Sequence, residues 1–273
     1  SGIKRIGHGG TLDPIATGVI AICLGQATRI MEYLVDGSKE YRGVVELGVT
    51  TDTYDSAGEV TGTAEFAHIS RDHVEAALES FHGHIDQVPP MYSALKREGK
   101  RLYELARKGI QVERPARPVT VYDIDLADWA PPLATVQVHC GRGFYMRSLA
   151  YDLGEALGCG GHLKSLVRLR SGPFTLQDSI TLDELDERFA DGTWTSNLHS
   201  ADVVLGNMRA IIAGRHSQDL ILNGRPISVG MSDLPKEPNE LCRAYTTDGR
   251  FIAILRFDEP IRQWKPEKVF HSA

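Results

Sequence analysis

The chain has 273 residues, 42% of them hydrophobic and 24% charged, with a formal net charge of −6. That length can bury the core of one large domain or two smaller ones, and the composition excludes a disordered, collagen-like or disulfide-built chain. No apolar run approaches a membrane span, no signal-peptide pattern opens the chain, and the four cysteines are scattered without a CxxC pair, so a cytoplasmic protein with reduced thiols and no membrane partner is expected.

The first 31 residues contain one acidic side chain, Asp13, within GHGGTLDPIATGVIAICLG. An Asp before a Pro is ordinarily a turn residue. Here two glycines precede it and an apolar run follows, so its carboxylate lies beside buried chain and needs a cationic or hydrogen-bonding partner. A single carboxylate can also act as a nucleophile toward an electrophilic carbon, whereas a glycosidase site would want two. The GHGG run lacks Walker spacing and no GxGxxG follows a strand, which argues against nucleotide binding.

Further along, residues 41–49 read as a strand. Ser70 can cap a helix that presents Val74, Ala77, Leu78 and Phe81 on one face and ends at Gly83. His82 and His84 form an HxH pair without a third ligand nearby, so solvated histidines are a better reading than zinc. After Pro89-Pro90 a short basic helix is expected to stop at Gly109. Residues 133–140 alternate apolar and polar as a half-buried strand, Gly143 breaks the pattern, and a helix with Leu149, Leu153 and Leu157 on one face follows. Composition shifts near residue 183 to five acids against one Arg over 183–192, and Asp248-Gly249 marks a hairpin between two later strands. Alternation dominates and no βαβ rhythm appears, so the larger part is expected to be α+β and residues 196–273 a small, mainly β domain.

Charge is unevenly distributed. Residues 43–88 carry nine acids against one Arg, residues 96–117 carry eight Lys or Arg against three Glu, and residues 140–170 carry five Lys or Arg against two acids. Two readings stay open: solvated faces, or a basic cleft for a phosphate backbone on an otherwise acidic protein.

Four segments, in order, carry a resemblance. GHGGTLDPIATGVIAICLG resembles the stretch around the catalytic Asp of the TruB family, the bacterial tRNA pseudouridine-55 synthases. KEYRGVVELGVTTDTYDSAGEV resembles the family's Tyr-bearing strand and TDT loop, QVPPMYSALKREGKRLYELARKG its Pro-Pro-Tyr-Ser-Ala-Lys segment, and HCGRGFYMRSLAYDLGEALGCGGHLKSLVRLRSGPF its second half-site. The tail ending WKPEKVF resembles the family's C-terminal PUA-like domain, so the likeness spans nearly the whole chain. It departs at Gly9, where Thr is common, and at the start, where an upstream strand and a Lys-Pro element are expected before residue 1.

The resemblance implies a pseudouridine synthase fold with a mixed, mainly antiparallel central sheet and flanking helices over residues 1–195. A β-rich PUA-like RNA-binding domain would occupy 196–273. It implies conversion of uridine 55 in the T stem-loop of tRNA by base flipping, without cofactor or metal, in a monomer. Asp13 would be the catalytic carboxylate, Arg147 its ion-pair partner, and Tyr41 the residue that stacks on the base and assists proton removal at C5. Tyr145 and Leu166 would line the pocket, His8 would fill the space left by the extruded base, and Lys96 and Arg97 would grip the backbone. On sequence pattern alone Leu166 is equally a core residue and Tyr41 an ordinary strand aromatic. An RNA chaperone that opens and re-anneals the tRNA elbow is the alternative function.

Overall fold

The computed structural model describes residues 2–93, 95–97, 99–106, 109–110, 112–228, 230, 234–235 and 237–271, with the backbone only at 96, 97, 100 and 101. The chain divides into two compact units: residues 8–22 with 34–181, and residues 1–7 with 23–33 and 182–273.

The first unit is an α+β fold around a seven-stranded sheet. In chain order its strands are β1 (Ala16–Gly18), β2 (Lys39–Leu47), β3 (Gly83–Gln87), β4 (Arg117–Ala130), β5 (Leu133–Cys140), β6 (Gly161–Ser171) and β7 (Phe174–Thr175). The spatial order is β7-β6-β2-β5-β4-β3, all antiparallel, and β1 joins β6 in parallel. The alternation at 133–140 is realised residue by residue, with Ala134, Val136, Val138 and Cys140 fully buried. Strand β2 stops two residues short of its expected end because Gly48 turns the chain at φ +84°.

Helix α1 (Arg71–Glu79) starts where Ser70 predicts. The Ser70 hydroxyl accepts from the His73 amide, and His73 Nδ1 accepts from the Ser70 amide, so a histidine fills the reciprocal position of the capping box. Its end comes at Ser80 and not at Gly83, because Gly83 opens β3. His82 bonds the Tyr122 carbonyl and His84 the Thr120 hydroxyl, so both histidines serve the neighbouring strand β4. The helix expected after Gly143 is α2 (Met146–Ala156), which buries Met146, Leu149 and Leu153 against the sheet with Val45, Val136 and Leu163.

One group on α2 sits awkwardly. Burial and the nearby Glu155 push the Asp152 carboxyl up to about 6. A raised carboxyl favours the folded state below its unfolded value, and that contribution is lost as pH rises through about 6. Asp152→Asn should therefore stabilise the protein above that pH, by about 1 kcal/mol once partial solvation is discounted. Urea unfolding on either side of the transition checks this; equal gain at acid and neutral pH would contradict it.

The second unit is β-rich. Strands β8 (Arg209–Ala213), β9 (Leu241–Thr246), β10 (Phe251–Asp258) and β11 (Gln263–Val269) form a sheet in that order, parallel at β8–β9 and antiparallel after it. Gly249, at φ +85°, makes the predicted hairpin turn between β9 and β10. The acidic stretch forms an exposed helix, α3 (Leu182–Asp191), and α4 (Arg215–Leu222) packs Ile221 on Trp264 and Leu255. An early segment completes this unit: Ile30 is buried with Leu205, Ile254 and Phe270, and the Gln26 side chain exchanges hydrogen bonds with the backbone of His271.

Candidate active site

The candidate site lies wholly in the first unit. Its first component is the loop that leads into β1. Pro14 occupies the second position of a turn closed by the Ala16 amide on the Asp13 carbonyl, at 2.8 Å. Gly18, at φ +100°, lies so close to the Arg168 backbone that an added Cβ would sit 2.3 Å from its carbonyl oxygen. Only glycine allows this approach. Gly9 is a second tight point: a Cβ there would stand 2.8 Å from Leu34 Cβ. The departure at position 9 therefore leaves a loop closed on a buried leucine.

Asp13 is 30% exposed at its side chain, whereas Arg147 opposite is 4% exposed. The guanidinium takes both carboxylate oxygens, Nε to Oδ2 at 3.0 Å and Nη2 to Oδ1 at 2.7 Å. This side-on bidentate geometry is the strongest form of a carboxylate–arginine contact. Two further bonds hold the guanidinium from behind, Nη2 to the Tyr92 carbonyl at 2.9 Å and Nη1 to the Thr53 carbonyl at 3.4 Å. Arg147 is the second residue of α2, and the turn before that helix is itself clamped. The buried Gln87 side chain donates to the Tyr145 carbonyl and accepts from the Tyr145 amide, while Ser148 Oγ donates to the Val88 carbonyl. The Pro-Pro segment thus fixes the aim of the arginine.

A second carboxylate meets the same guanidinium. Asp55, 5% exposed at its side chain, places Oδ2 3.6 Å from Arg147 Nε. Its Oδ1 accepts from the Thr53 hydroxyl at 2.7 Å and the Ala57 amide at 3.1 Å. The preceding residue, Tyr54, has φ +63°, a left-handed conformation that any Cβ disfavours, and its ring stacks on Tyr151 at 4.1 Å. Sequence reasoning missed Asp55 because it is one of nine acids in residues 43–88. The strained tyrosine in TDTYDSAG is visible only in the fold.

Tyr41 lies on β2, across from Arg168 on β6, and Leu166 lies across from Gly43 on the same pair. Burial raises the Tyr41 phenol, an effect opposed by Arg168 and reinforced by the charge of Asp13, so Tyr41 is protonated at neutral pH. Burial likewise raises Tyr145, which also feels Arg147 and Asp13. The fold therefore assembles Asp13, Tyr41, Tyr145 and Arg147 into one cluster. Leu166 is 5% exposed in the core beside it, and its backbone pairs with Ala16 of the Asp13 loop. His8 is exposed at the start of that loop. The side chains of Lys96 and Arg97 lie outside the described residues; their backbone pairs with Lys100 and Arg101 as a two-residue ladder. Among the described residues no group of three or more His, Cys, Asp or Glu is placed to hold a metal ion. Among them, too, no helix is long and apolar enough to cross a membrane.

The profile of the TruB family pseudouridylate synthase N-terminal domain matches residues 1–146. The chain belongs to the TruB family of pseudouridylate synthases. The tRNA pseudouridylate synthase B C-terminal domain matches residues 147–211. A relative from Dehalococcoides mccartyi named tRNA pseudouridine synthase B is 44% identical over 269 residues, which cover 98% of this chain and 88% of the relative. The protein of that name from Pseudomonas aeruginosa is 42% identical over 92% of this chain and 82% of its own. Among solved structures, one from a Cbf5-Nop10-Gar1 complex covers 98% of this chain and 77% of that one, with a TM-score of 0.73 at 23% identity. A second, from an H/ACA RNP bound to a substrate RNA containing 2′-deoxyuridine, has a TM-score of 0.71 at 21% identity. These two likenesses carry the α+β synthase fold.

Proposed function

We propose that this TruB-family enzyme converts uridine to pseudouridine at position 55 in the T-arm loop of tRNA. The observation that carries the reading is the Asp13–Arg147 pair, a carboxylate open to solvent on one side and fixed by a buried guanidinium on the other. The names of the relatives, tRNA pseudouridine synthase B, supply the class of RNA.

The reaction breaks the N1–C1′ bond, turns the uracil, joins C5 to C1′ and moves a proton from C5 to N1. It is redox-neutral and adds no group, so a carboxylate and neighbouring phenols suffice. Asp13 acts as the catalytic carboxylate. Tyr41 stacks on the base and relays the C5 proton, its phenol passing its own proton on as it takes that one up, so that the proton lost at C5 is balanced by the one gained at N1. Tyr145 and Leu166 line the pocket, and His8 fills the space left in the RNA loop. Extrusion of the base is required because its reacting atoms are unreachable in a stacked loop, at a cost of about a few kcal/mol. Residues 196–273 act as a PUA-like RNA-binding unit, and the protein works as a monomer. The four cysteines, all buried and far apart in the sequence, suit a cytoplasmic setting.

The test is incubation with an unmodified T-arm stem-loop, followed by chemically specific detection of pseudouridine at position 55. Absence of product with this stem-loop, in a folded preparation, would overturn the reading. The basic segments make a separate prediction. If residues 96–117 and 140–170 grip phosphates, stem-loop affinity should fall steeply between about 50 and 200 mM salt, and neutralising Lys96, Arg97 and Lys100 together should flatten that slope. Filter binding across the salt range measures it; an affinity indifferent to salt would make these segments ordinary solvated faces.

A further inference from the structure

Arg168 is 2% exposed, and among the described residues no carboxylate lies within 4 Å of its guanidinium. Such a group is costly to bury unless its donors are matched. Three of the matches run to one short segment, and the side chain also bonds Tyr41. Nε donates to the Val19 carbonyl at 2.6 Å, Nη1 to Thr11 at 3.1 Å and Nη2 to Gly10 at 3.3 Å. These three carbonyls straddle Asp13, two before it and one after it. The backbone of the same residue closes the fourth side, because its carbonyl accepts from the Val19 amide at 2.9 Å and its register partner is Gly18. On the adjacent strand Arg168 stands across from Tyr41.

We propose that Arg168 is a positioning residue that fixes the Asp13 loop from both ends and so sets where the carboxylate stands relative to Tyr41 and Arg147. The inference rests on the reading of Asp13 as the reacting carboxylate. A planar fork is needed, since its donors diverge to three carbonyls that a single ammonium cannot span. An apolar residue would leave those carbonyls buried and unpaired. A shift of even about 1 Å in a reacting group lowers the rate far more than it lowers binding.

The experiment compares wild type, Arg168→Met and Arg168→Lys by hydrogen exchange of the free protein and by single-turnover conversion of the stem-loop. In Arg168→Met the amides of residues 9–19 should exchange about ten-fold faster or more, with β2 and β5 unchanged. Turnover should fall about 100-fold with stem-loop affinity within about three-fold. Arg168→Lys should recover part of both, and it carries the comparison if the methionine variant does not fold. Unchanged exchange over 9–19 would overturn the proposal. So would uniform loosening of the whole sheet with rate and affinity falling together, the signature of an ordinary core residue. A folded wild type that makes no pseudouridine would overturn the functional reading, and the exchange data alone would then decide whether Arg168 anchors the loop.

Discussion

Asp13→Asn is expected to abolish isomerisation, by at least about a thousand-fold in single turnover, while stem-loop affinity stays within about a few-fold. The amide keeps the side chain's shape but cannot act as a nucleophile. The surroundings tolerate the change, because Arg147 retains Asp55 as a carboxylate partner and still donates to the Tyr92 and Thr53 carbonyls. Single-turnover conversion and filter binding, run in parallel, separate the two effects. Substantial turnover by the variant would remove Asp13 from its role. The same protein also tests the chaperone alternative: refolding of a misfolded tRNA transcript, read as aminoacylation competence, should persist in Asp13→Asn if that role draws on binding alone.

Arg147→Met should be more damaging, since it fails in both activity and stability. The substitution leaves two carboxylates, Asp13 and the deeply buried Asp55, without the cation they share. Removing one partner of a buried pair costs about 3–5 kcal/mol, because the remaining charge is uncompensated. We expect loss of conversion together with a stability loss of that order in denaturant melts. Arg147→Lys should restore much of the stability and little of the activity. An ammonium can neutralise the two acids but cannot bind Asp13 side-on through two parallel bonds. Near-wild-type conversion by Arg147→Met would show that Asp13 is held by something other than this arginine. The two substitutions thus differ in kind: one removes the reacting group from a site that remains balanced, the other unbalances the site itself.

Local physics explains what could be read before folding. The alternation at 133–140, the Ser70 cap and the Asp248-Gly249 turn each depend on residues within a few positions of one another, so the sequence alone determined them. The lone acid at position 13 was legible for a related reason: glycines and an apolar run made its neighbourhood known without any partner being known. Its pairing with Arg147 could be expected only from the family resemblance, since 134 positions separate the two residues. Periodicity carries nothing across such a distance.

Tertiary structure alone decided the rest. Asp55 is chosen from nine nearby acids because the turn at Tyr54 and the stack on Tyr151 aim it at Arg147. Gln87 becomes a clamp because β3 ends where the turn before α2 passes. Arg168, one basic residue among several in residues 140–170, becomes a loop anchor because β1 runs beside β6 in parallel. Ile30 buries with Ile254 and Phe270, which makes the second unit discontinuous in sequence. In each case the residue's role comes from a contact made by a distant segment, and an amino-acid sequence specifies such contacts only through the fold.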